Sequence, residues 1–295
     1  MSVETRAEVT AGIGALMTAE PRAARYRGIR VLEVLRTEQI TPRLRRIILG
    51  GAEIEGFGAG PNIKLLIPPE GVRHPEWPLA GADGRAIWPA DDLRPAVRTF
   101  SVRRFDPLRG EVAVDFACHG GHGPAARFAA RARPGDVVGV GGPGGRTLPP
   151  ADFHILAGDH CGLPSIAAIL EGLPPHARGA ALLEVEDEAD VLSLDRPAGV
   201  GLTWLYRHGA PAGTTTLLAD AVRALAVPDG LAVSAWIAAE SAAVRAARAH
   251  LVRERGLERT AVVAIGYWKR GVSEPDYDAA DRHDRDDRDD DQPAG

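Results

Sequence analysis

Residues 153–173 read FHILAGDHCGLPSIAAILEGL. FHILAG is a short apolar run of strand length. Asp159-His160-Cys161-Gly162 then make a turn that enters a helix. The same grammar continues toward the C-terminus. ALLEVED (181–187) and GLTWLYR (201–207) read as strands, and TTLLADAVRAL (215–225) as a helix. LAVSAWIAA (231–239) is a strand, ESAAVRAARAHLVRERG (240–256) one long helix, and TAVVAIGYW (260–268) a last strand. Strands that alternate with helices predict a parallel sheet covered on both faces, a doubly wound α/β unit.

Before Pro149-Pro150 the pattern differs. IRVLEVLRT (29–37), RLRRIILGG (43–51), NIKLLIP (62–68), RTFSVRRF (98–105), EVAVDFACHG (111–120) and DVVGVGGPGG (136–145) are six short β-like runs separated by Gly and Pro. Several alternate apolar and polar residues, as strands with one wet face do. Six such strands predict a small antiparallel barrel. The stretch from Pro68 to Pro95 is rich in Pro, Gly and Trp and reads as a long loop. The expected organisation is an N-terminal extension over 1–27, a β-barrel domain over 28–149, an α/β domain over 150–275 and a disordered acidic tail over 276–295.

The chain has 295 residues, 45% of them hydrophobic and 25% charged, enough to bury a sizeable core. Its net charge of −5 is uneven. The last twenty residues hold nine Asp and three Arg, so the rest of the chain sums to +1. A nearly neutral body gives no support for nucleic acid as a partner. No apolar run is long enough to span a bilayer, and the first residues lack the features of a secretory leader. Two cysteines, Cys118 and Cys161, make no disulfide framework, and the expected compartment is the cytoplasm. The sequence leaves oligomeric state open, with a monomer as the working expectation.

Three stretches carry chemistry. Arg98-Thr99-Phe100-Ser101 places an arginine fork beside hydroxyls, a pattern suited to phosphate, or else it is an edge strand with solvated neighbours. His119-Gly120-Gly121-His122-Gly123-Pro124-Ala125 opens the helix PAARFAARA (124–132). A helix start with accessible amides and Pro at its first position suits an anion, though a plain glycine turn looks the same. No acid or Cys completes metal-ligand spacing around the two histidines, so no metal site is expected. Ala157 to Pro164 lies where open α/β sheets bind nucleotide phosphates, yet it is not the GxGxxG fingerprint.

These pieces, taken in order, resemble the siderophore-interacting proteins, flavin-dependent ferric-siderophore reductases on the ferredoxin-reductase-like plan. The resemblance covers Tyr26 to Gly271. It rests on VLEVLRTEQITPRLRRIILGG (31–51), NIKLLIP, VRTFSVRRFDP (97–107), VDFACHGGHGPAARFAARARPGD (114–136), GGPGG, LAGDHCGLPSIAAILE (156–171), LTWLYR, AESAAVRAARAHLVRERG (239–256) and GYWKRG (266–271).

The resemblance implies FAD held by Arg98, Thr99, Phe100, Ser101, His119, Gly123, Pro124 and Ala125. Phe100 replaces the usual Tyr, and losing one phenol hydrogen bond is expected to weaken flavin by about 1 kcal/mol. It implies NADH or NADPH as donor, near Gly158, Asp159, His160, Cys161 and Glu240. His160 and Cys161 stand where the family has an acid and a small hydroxyl residue. Glu184 and Asp187 would favour NADH and Arg207 a 2′-phosphate, unless all three are ordinary strand-end residues. The resemblance marks Lys64 as a member of the family's basic set by the flavin, with Arg146, Lys269 and Arg270 as companions in binding substrate, unless Lys269 and Arg270 simply solvate the chain end. Tyr267 and Trp268 either cover the flavin or pack under the chain end.

The implied activity is NAD(P)H-dependent reduction of a ferric siderophore, which releases iron as Fe(II). A general flavin reductase or diaphorase, and a non-catalytic flavin- or siderophore-binding protein, remain as alternatives. Nucleic acid and membrane are not expected partners.

Overall fold

The computed structural model describes residues 25–72, 74–118 and 123–272. The expected tail, most of the expected extension, and His119 to His122 lie outside the described residues.

The first half contributes β1 (Arg30–Thr41), β2 (Leu44–Gly50), β3 (Asn62–Ile67), β4 (Leu79–Ala80), β5 (Ala86–Ile87), β6 (Ala96–Ser101), β7 (Arg104–Asp106), β8 (Glu111–Ala117) and β9 (Val137–Gly144). Seven of these form one antiparallel sheet in the order β6-β3-β9-β1-β2-β8-β7. The two edge strands, β6 and β7, are separated along the chain by only Val102 and Arg103. Val102 N–H donates to Pro61 O at 2.7 Å, on the β3 side, and Arg103 N–H donates to Ala113 O of β8 at 3.0 Å. The chain therefore steps from one edge of the sheet to the other and closes it as a barrel. This corrects RTFSVRRF, read as a single strand: it is two strands with the closure between them, so the sheet has seven strands, not six. The expected loop from Pro68 to Pro95 also carries the small β4–β5 hairpin. Trp77 of that segment packs over Gly139, where an added Cβ would lie 2.8 Å from the indole.

Alternation along the strands fills the barrel. Leu32, Val34, Ile47, Leu49, Ile63, Leu65, Val112, Val114, Val138 and Val140 are all buried in one cluster. Helix α1 (Pro124–Arg131) adds Phe128 and Ala129 to it.

The second half contributes β10 (Phe153–Gly158), α2 (Leu163–Gly172), β11 (Arg178–Val185), β12 (Gly199–Tyr206), α3 (Leu217–Ala224), β13 (Val233–Glu240), α4 (Ser241–Ala249) and β14 (Val262–Trp268). Its sheet is wholly parallel in the order β12-β11-β10-β13-β14. Both faces are covered, which is why β10 and most of β13 are buried along their length. Leu156, Leu183, Trp236 and Val263 face the α2 side, and Ile155, Leu182, Ile237 and Val262 the α3–α4 side. The Trp236 indole N–H, fully buried, is satisfied by Ser165 Oγ at 3.2 Å. The helix expected over 240–256 is α-helical only to Ala249. His250–Glu254 widens into a π turn, with Arg255 N–H on His250 O at 3.0 Å.

The two halves are packed together. Leu44 of β2 is buried in the α2-side core of the second sheet, with Ile40 against it. Arg103 Nη1 donates to Glu171 Oε2 of α2 at 2.8 Å.

Candidate functional site: the cleft between barrel and parallel sheet

Strand β6 lies antiparallel to β3, with Leu65 opposite Arg98, Lys64 opposite Thr99, Ile63 opposite Phe100 and Asn62 opposite Ser101. Opposed residues share a face, so the motif is divided. Arg98 and Phe100 lie on the side of the barrel-core residues Leu65 and Ile63. Thr99 and Ser101 lie on the outer side with Lys64 and Asn62. Phe100 is partly buried, its ring 4.3 Å from Phe116, which in turn lies 6.1 Å from Phe128 of α1. Three rings thus tie β6, β8 and α1 together, and a Tyr at 100 would begin from a ring already packed. Arg98 is half-buried and its Nη1 donates to Val97 O at 2.7 Å.

The outer side of β6 meets the second sheet. Ser101 Oγ is 3.3 Å from Tyr267 Oη of β14. Burial pushes the Tyr267 phenol up, against hydrogen bonds to Ser101 and Ser165, so it is a neutral hydroxyl at the seam. The next residue, Trp268, turns the other way and donates its indole N–H to Asp159 Oδ2 at 2.7 Å. Two consecutive residues of β14 therefore connect the barrel motif with the turn after β10. Tyr267 is thus turned toward the barrel motif and Trp268 toward the turn after β10.

The turn itself is built around Asp159. Its Oδ1 accepts from Cys161 N–H at 2.9 Å and Gly162 N–H at 3.2 Å. Its Oδ2 accepts from Glu240 N–H at 2.9 Å as well as from Trp268. A carboxylate has about four acceptor positions, and all are taken here. Burial nevertheless raises its pKa above the ordinary Asp value. Glu240 is buried as well. One oxygen caps α4 at Ala242 N–H and the other accepts from Arg270 N–H at 3.3 Å. Both acids thus shape the turn. Close approach needs Gly158 and Gly162, because an added Cβ would lie 2.8 Å and 1.8 Å from Ala238 O.

His160, next in the turn, faces the barrel through Asp190. Asp190 is fully buried and accepts from Thr41 Oγ1 at 2.8 Å and Arg43 Nη1 at 2.9 Å. His160 Nε2 lies 3.1 Å from Asp190 Oδ2 without hydrogen-bond alignment. Burial holds the imidazole below its usual value, against the pull of Asp190, so it is neutral at pH 7. Cys161 is partly exposed in the same turn.

The basic residues come from neighbouring strands. Asn62 pairs with both Ser101 and Gly144, and Arg146 follows Gly144 by two residues. Lys64 is exposed and donates to Thr99 Oγ1. Arg146, Lys269 and Arg270 are exposed, the last two just beyond Tyr267 and Trp268. Gly123 and Pro124 open α1 with no side-chain cap, and among the described residues an added Cβ at Gly123 would meet nothing within 4 Å. Open space over uncapped amides fits a pyrophosphate. His119 lies outside the described residues.

Sequence reasoning missed Thr41, Arg43 and Asp190, which no local pattern marks. It also left out Gly162, whose signal was present in the quoted turn. Glu184, Asp187 and Arg207 are all engaged. Glu184 accepts from Thr215 Oγ1 at 2.9 Å, Asp187 Oδ1 accepts from Ala189 N–H at 2.9 Å, and Arg207 Nη2 lies 2.8 Å from Glu186 Oε2.

A closed antiparallel barrel followed by a parallel sheet of this strand order is the ferredoxin-reductase-like plan of flavin-dependent oxidoreductases. The family model described as siderophore-interacting FAD-binding domain matches residues 33–147, and that described as siderophore-interacting protein matches 151–271. The chain belongs to the siderophore-interacting protein family. It is 35% identical over 254 residues to the ferric vibriobactin reductase of Vibrio cholerae, covering 84% of this chain and 92% of that protein. It is 35% identical over 184 residues to the NADPH-dependent ferric-chelate reductase of Escherichia coli, covering 60% and 70%. The crystal structure of the siderophore-interacting protein SipS from Aeromonas hydrophila matches with TM-score 0.76 and 35% identity, covering 90% of this chain and 99% of that one. Among the described residues no helix is long and apolar enough to cross a membrane.

Proposed function

We propose that this chain is an NAD(P)H-dependent flavoprotein that reduces a ferric siderophore and releases its iron as Fe(II). The observation that carries the reading is the Ser101–Tyr267 contact, with Trp268 on Asp159 beside it. Residues expected to hold flavin and residues expected to receive nicotinamide meet at one seam.

Arg98, Thr99 and Ser101 would hold FAD from β6, and the amides at Gly123, Pro124 and Ala125 would take its pyrophosphate. Bound FAD supplies the exchange between two-electron hydride and one-electron steps. The 158–162 turn, braced by Asp159, receives the nicotinamide nucleotide at the carboxyl end of β10. Lys64, Arg146, Lys269 and Arg270 would draw an anionic ferric chelate to the cleft mouth.

One NAD(P)H gives up a hydride and becomes NAD(P)+. Two ferric chelates each take one electron, and one proton is released. Fe(II) is softer than Fe(III) and binds hard oxygen donors less tightly, so the metal leaves its chelator. The family and the two named reductases support this choice of acceptor.

The test is anaerobic turnover of FAD-loaded protein with NADH or NADPH and a ferric tris-catecholate, with Fe(II) trapped by a coloured chelator. Two Fe(II) per nucleotide oxidised is the expected result. Flavin bleaching without Fe(II) would mark a general flavin reductase, and no bleaching by either nucleotide would mark a non-catalytic binder.

A further inference from the structure

At the carboxyl end of a parallel sheet, the strand beside the glycine turn carries the groups that read the adenosine ribose. An acid there favours a free 2′-hydroxyl, and an arginine favours a 2′-phosphate. This chain has both kinds at once. Glu184 is the last residue but one of β11, Glu186 follows the strand, and Arg207 follows β12. The Escherichia coli relative is named for NADPH, whereas the name of the Vibrio cholerae relative specifies no donor. The choice has to be read from these residues.

Arg207 is turned inward, its side chain only 6% exposed. Nη2 is held by Glu186 Oε2 at 2.8 Å, and Nε lies 3.6 Å from Glu184 Oε1. Nη1 donates to Ala210 O at 2.6 Å. The guanidinium therefore has one carboxylate at each side and a carbonyl at its end. Glu186 is braced in turn, because its Oε1 accepts from Gly209 N–H at 2.7 Å. Further acids lie beside the collar. Asp187 and Glu188 follow Glu186, and Arg43 is the cation beside Asp187, at 3.4 Å. The collar also borders the glycine turn, because Gly158 of β10 pairs with Leu183, the residue before Glu184.

We propose that the Glu186–Arg207 pair makes this protein select NADH over NADPH. This rests on reading the second sheet as the nicotinamide donor site. A 2′-phosphate would have to displace Glu186 from Arg207 or lie against Glu186 and Asp187, whose cations Arg207 and Arg43 are already engaged, and like charges brought together there cost affinity. A 2′-hydroxyl meets no such penalty and donates to the acceptor positions that Glu186 has left.

The test uses nucleotide fragments as well as turnover. Calorimetric titration at low salt compares 5′-AMP with 2′,5′-ADP on the FAD-loaded protein, and kcat/KM is measured for NADH and NADPH. The expected preference is tenfold or more for the unphosphorylated member of each pair, about the size of one mispaired charge. In Glu186→Gln, which keeps the size and the Gly209 contact, Arg207 loses a charged partner and both ratios should shrink at least threefold. Equal or tighter binding of 2′,5′-ADP by the wild type overturns the proposal, and so does an unchanged ratio in E186Q. If neither fragment binds and neither dinucleotide bleaches the flavin, the donor reading itself falls. That result is distinct from a site that binds and prefers the phosphate.

Discussion

The Thr41 hydroxyl of the barrel donates to the Asp190 carboxylate of the parallel domain across 2.8 Å. Arg43, two residues along the same β1–β2 connection, reaches the other oxygen, and His160 of the turn after β10 lies beside it. One buried carboxylate thus fixes the barrel against the second sheet, beside the turn after β10. Leu44, buried in the second core, follows directly. The polar clamp and the apolar plug come from four consecutive residues.

That clamp should be visible in pH-dependent stability. Burial pushes the Asp190 carboxyl up, but Thr41, His160 and Arg43 together outweigh it and hold its pKa below 3.8. A lowered folded value means stability present above the unfolded value and lost as pH falls through the folded one. Asp190→Asn should cost about 2 kcal/mol at pH 7, the range for charged hydrogen bonds, reduced by the partial exposure of Arg43. The melting midpoint should drop by roughly 4–6 °C. The gap between wild type and variant should then narrow below pH 3.8. Melts that keep the same gap from pH 7 to pH 3 would show that the charge on Asp190 contributes nothing.

Two glycines of the site should respond in opposite ways. At Gly162 an added Cβ would lie 1.8 Å from a backbone oxygen that cannot swing aside, so Gly162→Ala must lift the turn off β13. We expect a loss of about 2 kcal/mol or more in the apoprotein. At Gly123 the space is open among the described residues. Gly123→Val should leave apoprotein melting within about 0.5 kcal/mol and still weaken FAD, by crowding the amides meant for pyrophosphate. Wild-type FAD affinity in that variant would remove the α1 amides from the flavin site.

Much of this architecture was legible because it is periodic. The continuous apolar runs of β10 and β13 announced a sheet covered twice, and the alternating runs before Pro149 announced a barrel. What was illegible depends on partners far along the chain. RTFSVRRF keeps its period through Val102 and Arg103, so nothing local shows that the strand changes neighbours there. His160 reads as an oddity of its turn until Asp190 and Thr41 are brought to it. The π turn after Ala249 was hidden too, since its residues suit an α-helix equally well. The seam was half visible: both motifs could be found, but not that Tyr267 and Trp268 join them.

Arg98 should matter for flavin and little for folding. The Nη1 bond to Val97 O links Arg98 to its own strand neighbour, and the residue is half-buried on an edge strand of the barrel sheet. Arg98→Ala should change apoprotein stability by less than about 1 kcal/mol while the purified protein loses most of its flavin absorbance. Arg98→Lys keeps the charge but not the fork, so its flavin content should be intermediate. A fully yellow Arg98→Ala protein would move the phosphate contact elsewhere.

Lys64 tests substrate recognition apart from the flavin. The chain before Asp276 carries a net charge of only +1, so an anionic ferric chelate has no strong general field to follow. Attraction has to come from local cations, and Lys64 is exposed on the strand that pairs with β6, beside Thr99. Lys64→Ala should raise KM for an anionic ferric siderophore roughly threefold at low salt, the scale of one exposed charge. Raising ionic strength toward 0.15 M shortens the screening length to about 8 Å. The wild-type KM should then climb and the difference between wild type and variant should close. Because Lys64 also touches Thr99, flavin content is measured alongside, and the comparison is made between an anionic and a neutral ferric chelate on the same preparation. A changed ratio with unchanged flavin assigns Lys64 to the substrate. If both chelates slow equally and flavin is lost, Lys64 acts by holding Thr99 in place, and the basic set at the cleft mouth has to be rebuilt from Arg146, Lys269 and Arg270.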